Sequence, residues 1–219
     1  MGAGSLIRRY YMFVGDIVKY GLEVFNRNLS MFIIRAKGRS NIFDRRNFDM
    51  VILRTPRLYM RKIQTDDYSS VCSILQDIDV MYAWEHAFSD EEVVQWIDEN
   101  IMRYNRDGYS YWAVIEKASD KLIGVTGLIS EQADDENYVG VGYIYQKSYW
   151  GNGYAFEAAS ACIDHVLNIL HLNEITAQIR PENMASRKVA ERLGMSIKKR
   201  FIRRYRNKDI PHLLYSRTI

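Results

Sequence analysis

Two glycines one residue apart, Gly151-Asn152-Gly153, stand between an alternating apolar run, Tyr138–Tyr145, and a stretch of helical spacing from about Phe156 to Leu170. A turn of that kind bends the backbone tightly and brings successive N–H groups against a ligand with no Cβ in the way. The helix behind it adds unsatisfied N–H groups and the positive end of a dipole, a seat for phosphate. No Gly-Lys-Ser/Thr follows, so this is not a triphosphate loop. A third glycine and an acidic ribose partner are also missing, so it is not a dinucleotide fingerprint. Taken alone, Gly-Asn-Gly is equally compatible with a purely structural turn. Groups able to move a proton lie elsewhere. Glu85 and His86, within the aromatic stretch Met81–Phe88, could relay a proton or bind an amine, or simply sit on a loop packed against the sheet. Glu131 opens the acidic stretch Glu131–Glu136, read here as a solvated hairpin loop, and is a further candidate base.

The elements that must position these groups alternate along the chain. Leu58–Ile63 alternates as a strand, and Thr65-Asp66-Asp67 is expected to cap a helix through Val71, Ile74 and Leu75. Ser89-Asp90-Glu91-Glu92 forms a capping box ahead of a second helix through Val93, Trp96, Ile97 and Ile101. Strands are expected at Tyr111–Glu116, Ile123–Ile129 and Tyr138–Tyr145. After the glycine turn and its helix come a strand at Glu174–Arg180, a helix at Ser186–Leu193, and closing strands around Ser196–Ile202 and His212–Ser216. The pattern predicts an α/β (α+β) domain with a mixed sheet flanked by helices.

Composition narrows the class. The 219 residues are 47% hydrophobic and 26% charged, with a net charge of +3, too small to imply DNA or a membrane by charge alone. Residues 1–49 hold nine basic and four acidic residues, so the bulk of the chain is nearly neutral and the basicity belongs to an N-terminal extension. Within it, residues 6–26 carry apolar groups at helical spacing, as for a helix packed on its own domain or on a dimer partner. Residues 35–49 read as a linker, which places the domain boundary near residue 49. Cys72 and Cys162 are expected to be buried thiols, and no Cys-based metal site is expected. No apolar run is long enough to cross a membrane, and charges interrupt any secretory core, so the cytoplasm is the expected location. Seven basic residues fall between Lys198 and Lys208. They are read as a solvated hairpin, with a ribosomal or acidic partner as the alternative.

Taken in order, several motifs resemble the GNAT acetyltransferase superfamily, and more narrowly its RimJ/RimL-like branch. They are Leu53-Arg54-Thr55-Pro56-Arg57-Leu58, Gly142-Tyr143, Tyr149-Trp150-Gly151-Asn152-Gly153-Tyr154-Ala155 with Glu157-Ala158, and Asn183-x-x-Ser186 with Glu191-x-x-Gly194-Met195. The resemblance spans residues 50–219 and implies the GNAT fold, with a mostly antiparallel sheet of about six or seven strands. It also implies acetyl-CoA as acyl donor. Tyr143, Ile144 and Tyr145 would meet the pantetheine arm through backbone groups, on a strand that splays from its neighbour. Trp150, Gly151, Asn152, Gly153, Tyr154 and Ala155 would cradle the pyrophosphate. Asn183 would hydrogen-bond the donor, and Ser186 would steady the leaving thiolate. The loop carrying Glu85 would line the acceptor groove.

One departure affects the chemistry. Where many relatives place a glutamate before the Gly-Tyr pair, this chain has Gly140, and two further family positions are Gln178 and Ala190. No general base carries over. A lysine of pKa ~10.4 is neutral about once in 2,500 molecules at pH 7, an α-amine near 7.8 about one time in seven. A weak base therefore suits a protein N-terminus. The alternatives are a polyamine, amino sugar or aminoglycoside acceptor, drawn by the acidic stretch, and a silent acyl-CoA-binding module.

Overall fold

Alternating apolar residues with turn chemistry between them give the described part of the chain its strands. The computed structural model describes residues 51–165 and 172–218. The N-terminal extension, the boundary near residue 49 and the last turns of the helix expected to reach Leu170 lie outside the described residues. The strands are β1 (Val51–Arg54), β2 (Leu58–Lys62), β3 (Tyr111–Glu116), β4 (Lys121–Ala133), β5 (Glu136–Tyr145), β6 (Glu174–Ile179), β7 (Ser196–Tyr205) and β8 (Lys208–Thr218). The helices are α1 (Tyr68–Leu75), α2 (Asp90–Arg106), α3 (Tyr154–His165) and α4 (Met184–Arg192). The strands form one eight-stranded sheet in the order β1-β2-β3-β4-β5-β6-β8-β7. The strand beyond the expected six or seven is β1, four residues whose pattern Pro56 cuts short.

All neighbours in the sheet are antiparallel except β5 and β6, which run parallel and are paired at Gly140 and Thr176. Beyond that pair the two strands diverge, and a cleft opens between them. The cleft is what the fold positions. One sheet face packs Tyr111, Ala113, Val125 and Ile144 against Val71, Ile74, Val93 and Ile97 of α1 and α2. The other packs Trp112, Val141, Ile175 and Leu213 against Ala158, Ala159 and Cys162 of α3 and against α4.

Local chemistry fixes most boundaries. Ser89 caps α2 as a box: its hydroxyl accepts from Glu92 N, and Ser89 N donates to a Glu92 carboxylate oxygen at 2.9 Å. Asn183 caps α4 by accepting from Ser186 N at 3.0 Å. The expected cap at Thr65–Asp67 is different in kind. These residues form a 3-10 turn, and the Asp67 carboxylate takes two 2.7 Å bonds from the Arg61 guanidinium and one from Gln64 N instead of capping α1. The acidic stretch is also corrected. Pairing continues to Ala133 and Glu136, so the loop is only Asp134-Asp135, and Glu131 belongs to β4. Asp134 has φ 54, the left-handed conformation that two-residue hairpins favour. The β7–β8 hairpin turns likewise through Arg206 and Asn207, at φ 49 and 61. Among the described residues, no helix is long and apolar enough to cross a membrane.

Candidate active site

The glycine turn sits at the mouth of α3. Gly151 and Gly153 have φ 78 and 79, so each needs glycine for its backbone. A Cβ at Gly151 would meet nothing within 4 Å, and one at Gly153 only Arg57 Nη2 at 3.7 Å. The turn is thus bent by its own backbone, with open space above it, as a ligand cradle requires. It is braced from several directions. The Trp150 indole donates to the Tyr145 carbonyl at 2.8 Å, and Asn152 Nδ2 donates to the Tyr149 and Trp150 carbonyls. Tyr154 opens α3, its hydroxyl bound to Glu116, and Ala155 follows in the first turn.

The segment Thr55-Pro56-Arg57 belongs to the first of the sequence motifs, yet nothing in the sequence assigns it a role. In the structure it braces the glycine turn. Arg57 Nη1 donates to the Asn152 carbonyl at 2.9 Å, its Nε donates to Glu157 at 2.6 Å, and the guanidinium lies 4.4 Å over the Tyr154 ring. Thr55 Oγ1 also donates to Glu157, at 2.6 Å. Glu157 suits the first turn of α3, where a carboxylate favours the dipole. These donors hold its carboxyl below the usual range, although burial works against them. Left bare, that charge would oppose an arriving phosphate; Arg57 offsets it beside the cradle.

From the β5–β6 divergence a cleft of about 530 Å³ runs under α2 and the β7–β8 hairpin. Tyr143, Ile144, Asn183 and Ser186 all line it. Tyr143 spans the gap, its hydroxyl donating to the Ser186 carbonyl at 2.9 Å. Tyr145 is buried, and its hydroxyl shares a 2.8 Å hydrogen bond with Thr126. The far half of the cleft is walled by Trp84, Phe88, Trp96, Tyr111 and Tyr205, with Arg103 and Arg203 among them.

Glu85 is not among the cleft-lining residues. It accepts from Lys208 at 2.6 Å and from Arg180 at 3.4 Å, and the Lys208 ammonium in particular holds its carboxyl below the usual carboxylate range. That arrangement suits it to fastening the Met81–Phe88 loop to β8 rather than to accepting a proton. His86 stands near Glu92, its Nε2 3.2 Å from the carboxylate, and stacks on Phe88 and Tyr205. The basic run is largely spent inside the domain: Lys198 pairs with Glu174, Lys199 with Asp134 and Glu136, Arg206 with Glu92, and Lys208 with Glu85.

Glu131 is the group whose setting the sequence does not reveal. Its side chain enters the cleft from β4, and Oε2 is sealed from solvent with no hydrogen-bond partner among the described residues. Burial pushes its carboxyl up to about 7, against a smaller opposing pull from the Arg203 guanidinium. A Cβ at Gly140 would overlap that oxygen and stand 2.8 Å from Glu131 Cδ. Gly142 does the same for Tyr111, whose ring lies where its Cβ would be.

Comparison with known proteins agrees with this geometry. The acetyltransferase (GNAT) domain family model matches residues 57–196. YkkB of Bacillus subtilis (strain 168) is 32% identical over 148 residues, 67% of this chain and 86% of its own. A GNAT-family acetyltransferase from Bacillus anthracis is 26% identical, with a TM-score of 0.65 over 77% of this chain and 98% of its own. RimL, a ribosomal L7/L12 α-N-protein acetyltransferase solved with coenzyme A, shares the fold at 17% identity and a TM-score of 0.62, over 77% of this chain and 98% of its own.

Proposed function

The chain belongs to the GNAT acetyltransferase family and is an acetyl-CoA-dependent N-acetyltransferase, and from that premise we propose that its acceptor is the N-terminal α-amine of a protein or peptide. The charge of the cleft carries this reading. A polyamine or aminoglycoside needs a surplus of carboxylates, whereas Arg103, Arg180 and Arg203 line this cleft beside Glu99 and Glu131, and with Arg180 paired to Glu182 and Glu85 the carboxylates hold no surplus over the cations. Glu99 is itself paired with Arg103 at 3.0 Å, and the hairpin acids Asp134 and Glu136 are paired with Lys199. A single ammonium on a neutral or acidic peptide fits such a groove, and its aromatic walls can cover the leading side chains. RimL carries the name of an α-N-protein acetyltransferase on the same fold, which supports the same acceptor class.

When bound, acetyl-CoA supplies a thioester carbonyl. In this reading the chain's part is to bind and orient. The N–H groups of residues 151–155 hold the pyrophosphate at the α3 N-terminus, while the Trp150 N–H is spent on the Lys147 carbonyl at 3.1 Å and braces the turn instead. Tyr143, Ile144 and Tyr145 offer backbone groups to the pantetheine arm, and Asn183 adds a side-chain contact. The Ser186 hydroxyl stabilises the departing thiolate. Holding amine and thioester in one cleft converts an encounter into an intramolecular attack.

A peptide with a free N-terminus and one internal lysine tests the acceptor against spermidine and kanamycin, with products assigned by mass spectrometry. Acetylation of the N-terminus at least tenfold faster than the lysine and both polycations is expected. Faster lysine or polycation acetylation overturns the reading. Arg57→Ala should raise the acetyl-CoA concentration for half-saturation about tenfold, by the loss of one charge-assisted brace. Turnover at saturating donor should stay within a factor of two in the same steady-state assay.

A further inference from the structure

A carboxylate inside a protein is normally hydrogen-bonded or ion-paired, because desolvation without a partner is costly. Glu131 breaks that rule inside the cleft. The register of β4 on β5 sets Ile129 opposite Gly140 and Glu131 opposite Tyr138, which puts Glu131, Gly140 and Gly142 on one sheet face. Position 140 carries no side chain, and Glu131 Oε2 occupies the room this leaves. On that face and along the cleft the charged and titratable neighbours are Tyr111 from β3, Tyr138 directly opposite on β5, Arg203 and Tyr205 from β7, His212 from β8, and Arg103 with Glu99 from α2. Burial raises the Tyr111 phenol, so it stays protonated. Among the described residues no cation neutralises the carboxylate by contact; Arg203 acts on it only as a weaker, longer-range charge.

We propose that Glu131, reaching from β4 over the bare backbone of Gly140 into the cleft, is the base that takes the proton from the acceptor amine. The acceptor arrives as an ammonium, and one N–H proton passes to the Glu131 carboxylate, leaving a neutral amine. The amine's lone pair attacks the thioester carbon; the C–N bond forms and the C–S bond breaks. The nitrogen's second proton goes to the departing thiolate, giving the amide and CoA thiol. Glu131 returns its proton to solvent, so one proton is released per turnover. A base that titrates close to working pH is suited to this exchange, since it can take a proton from the ammonium and give it up again afterwards. The assignment rests on amine acetylation alone and holds whichever amine is the acceptor.

The test uses whichever of the peptide, spermidine and kanamycin the wild-type chain acetylates fastest, so a wrong acceptor class leaves it intact. Glu131→Gln should lower kcat about 100-fold while acetyl-CoA still raises the melting temperature as in wild type. The kcat–pH profile should lose its rising limb near pH 7. Moving the carboxylate between strands supplies a second arm: Glu131→Ala should be as slow as Glu131→Gln, and Glu131→Ala/Gly140→Glu should recover at least tenfold. A readout independent of acceptor is the carbon-13 titration of the Glu131 carboxyl, identified by its loss in Glu131→Gln, with an expected midpoint near 7. Glu131→Gln retaining kcat within threefold overturns the proposal, as does a midpoint below 5. A Glu131→Gln chain that does not fold overturns it too, by making the carboxylate structural.

Discussion

Gly153→Val should weaken acetyl-CoA binding about 100-fold. The residue sits at φ 79, a conformation that costs a β-branched side chain on the order of 1–3 kcal/mol, and the turn can relieve that strain only by moving its N–H groups off the phosphate seat. Around position 153 there is space for a side chain, with Arg57 Nη2 3.7 Å from where a Cβ would stand, so the loss is one of backbone shape and not of core packing. The measurement is thermal unfolding over a titration of acetyl-CoA. Wild-type chain at a donor concentration of 100 times Kd should gain ~2.7 kcal/mol. For a domain of this size that is a rise of roughly 5–10 °C. In Gly153→Val the same rise should need about 100 times more donor. An unchanged titration would reduce the glycine turn to a chain reversal with no role in the donor site.

The second large effect runs against the usual sign of a mutation. Glu131→Gln should make the protein more stable at pH 8, and no more stable near pH 5. The carboxyl holds its proton up to about 7 when folded, against an ordinary value of 4.5. Between those values the folded state binds more proton than the unfolded one, so stability falls as pH rises through the window. Above it the full cost applies, at most about 3 kcal/mol from a shift of that size. Partial exposure of the residue reduces this, and a gain of about 1–2 kcal/mol at pH 8 is the expected result. Melting curves of both chains at pH 5 and pH 8 measure it directly. A Glu131→Gln chain less stable than wild type at pH 8 would mean that the carboxylate is satisfied in solution by a partner that glutamine cannot match.

What is legible in the sequence is local chemistry. Gly151 and Gly153 and the Ser89–Glu92 box are each readable because the residue satisfies its own backbone or that of a residue three positions on. The strands are readable by alternation, except β1, whose four residues give too few periods. What stays hidden depends on pairing between distant segments. Glu85 looks suited to proton transfer until Lys208 and Arg180, 123 and 95 positions away, claim its oxygens. Glu131 looks like the edge of a solvated loop because a run of acids reads as surface. Its burial follows from the four residues by which paired β4 runs past Ile129 and from a glycine on the other strand. Gly140, which in the sequence marks a missing carboxylate, in the structure is the recess that holds one.

The lone β5–β6 pairing also divides the machinery. Glu131, Tyr143 and the glycine turn ride on the larger slab, β1–β5 with its helices. Asn183, Ser186, Arg203 and Tyr205 ride on the smaller one, β6–β8 with α4. At the sheet level the slabs meet like plates across an expansion joint, and the apolar layer of Val141, Cys162, Ile175 and Leu213 is the backing that keeps the joint aligned. Of that layer Val141 also lines the cleft, and together its side chains set the spacing between the two slabs. On the proposed mechanism, the packing behind the sheet bears on rate as well as on stability, because it holds the two sides of the cleft at their distance.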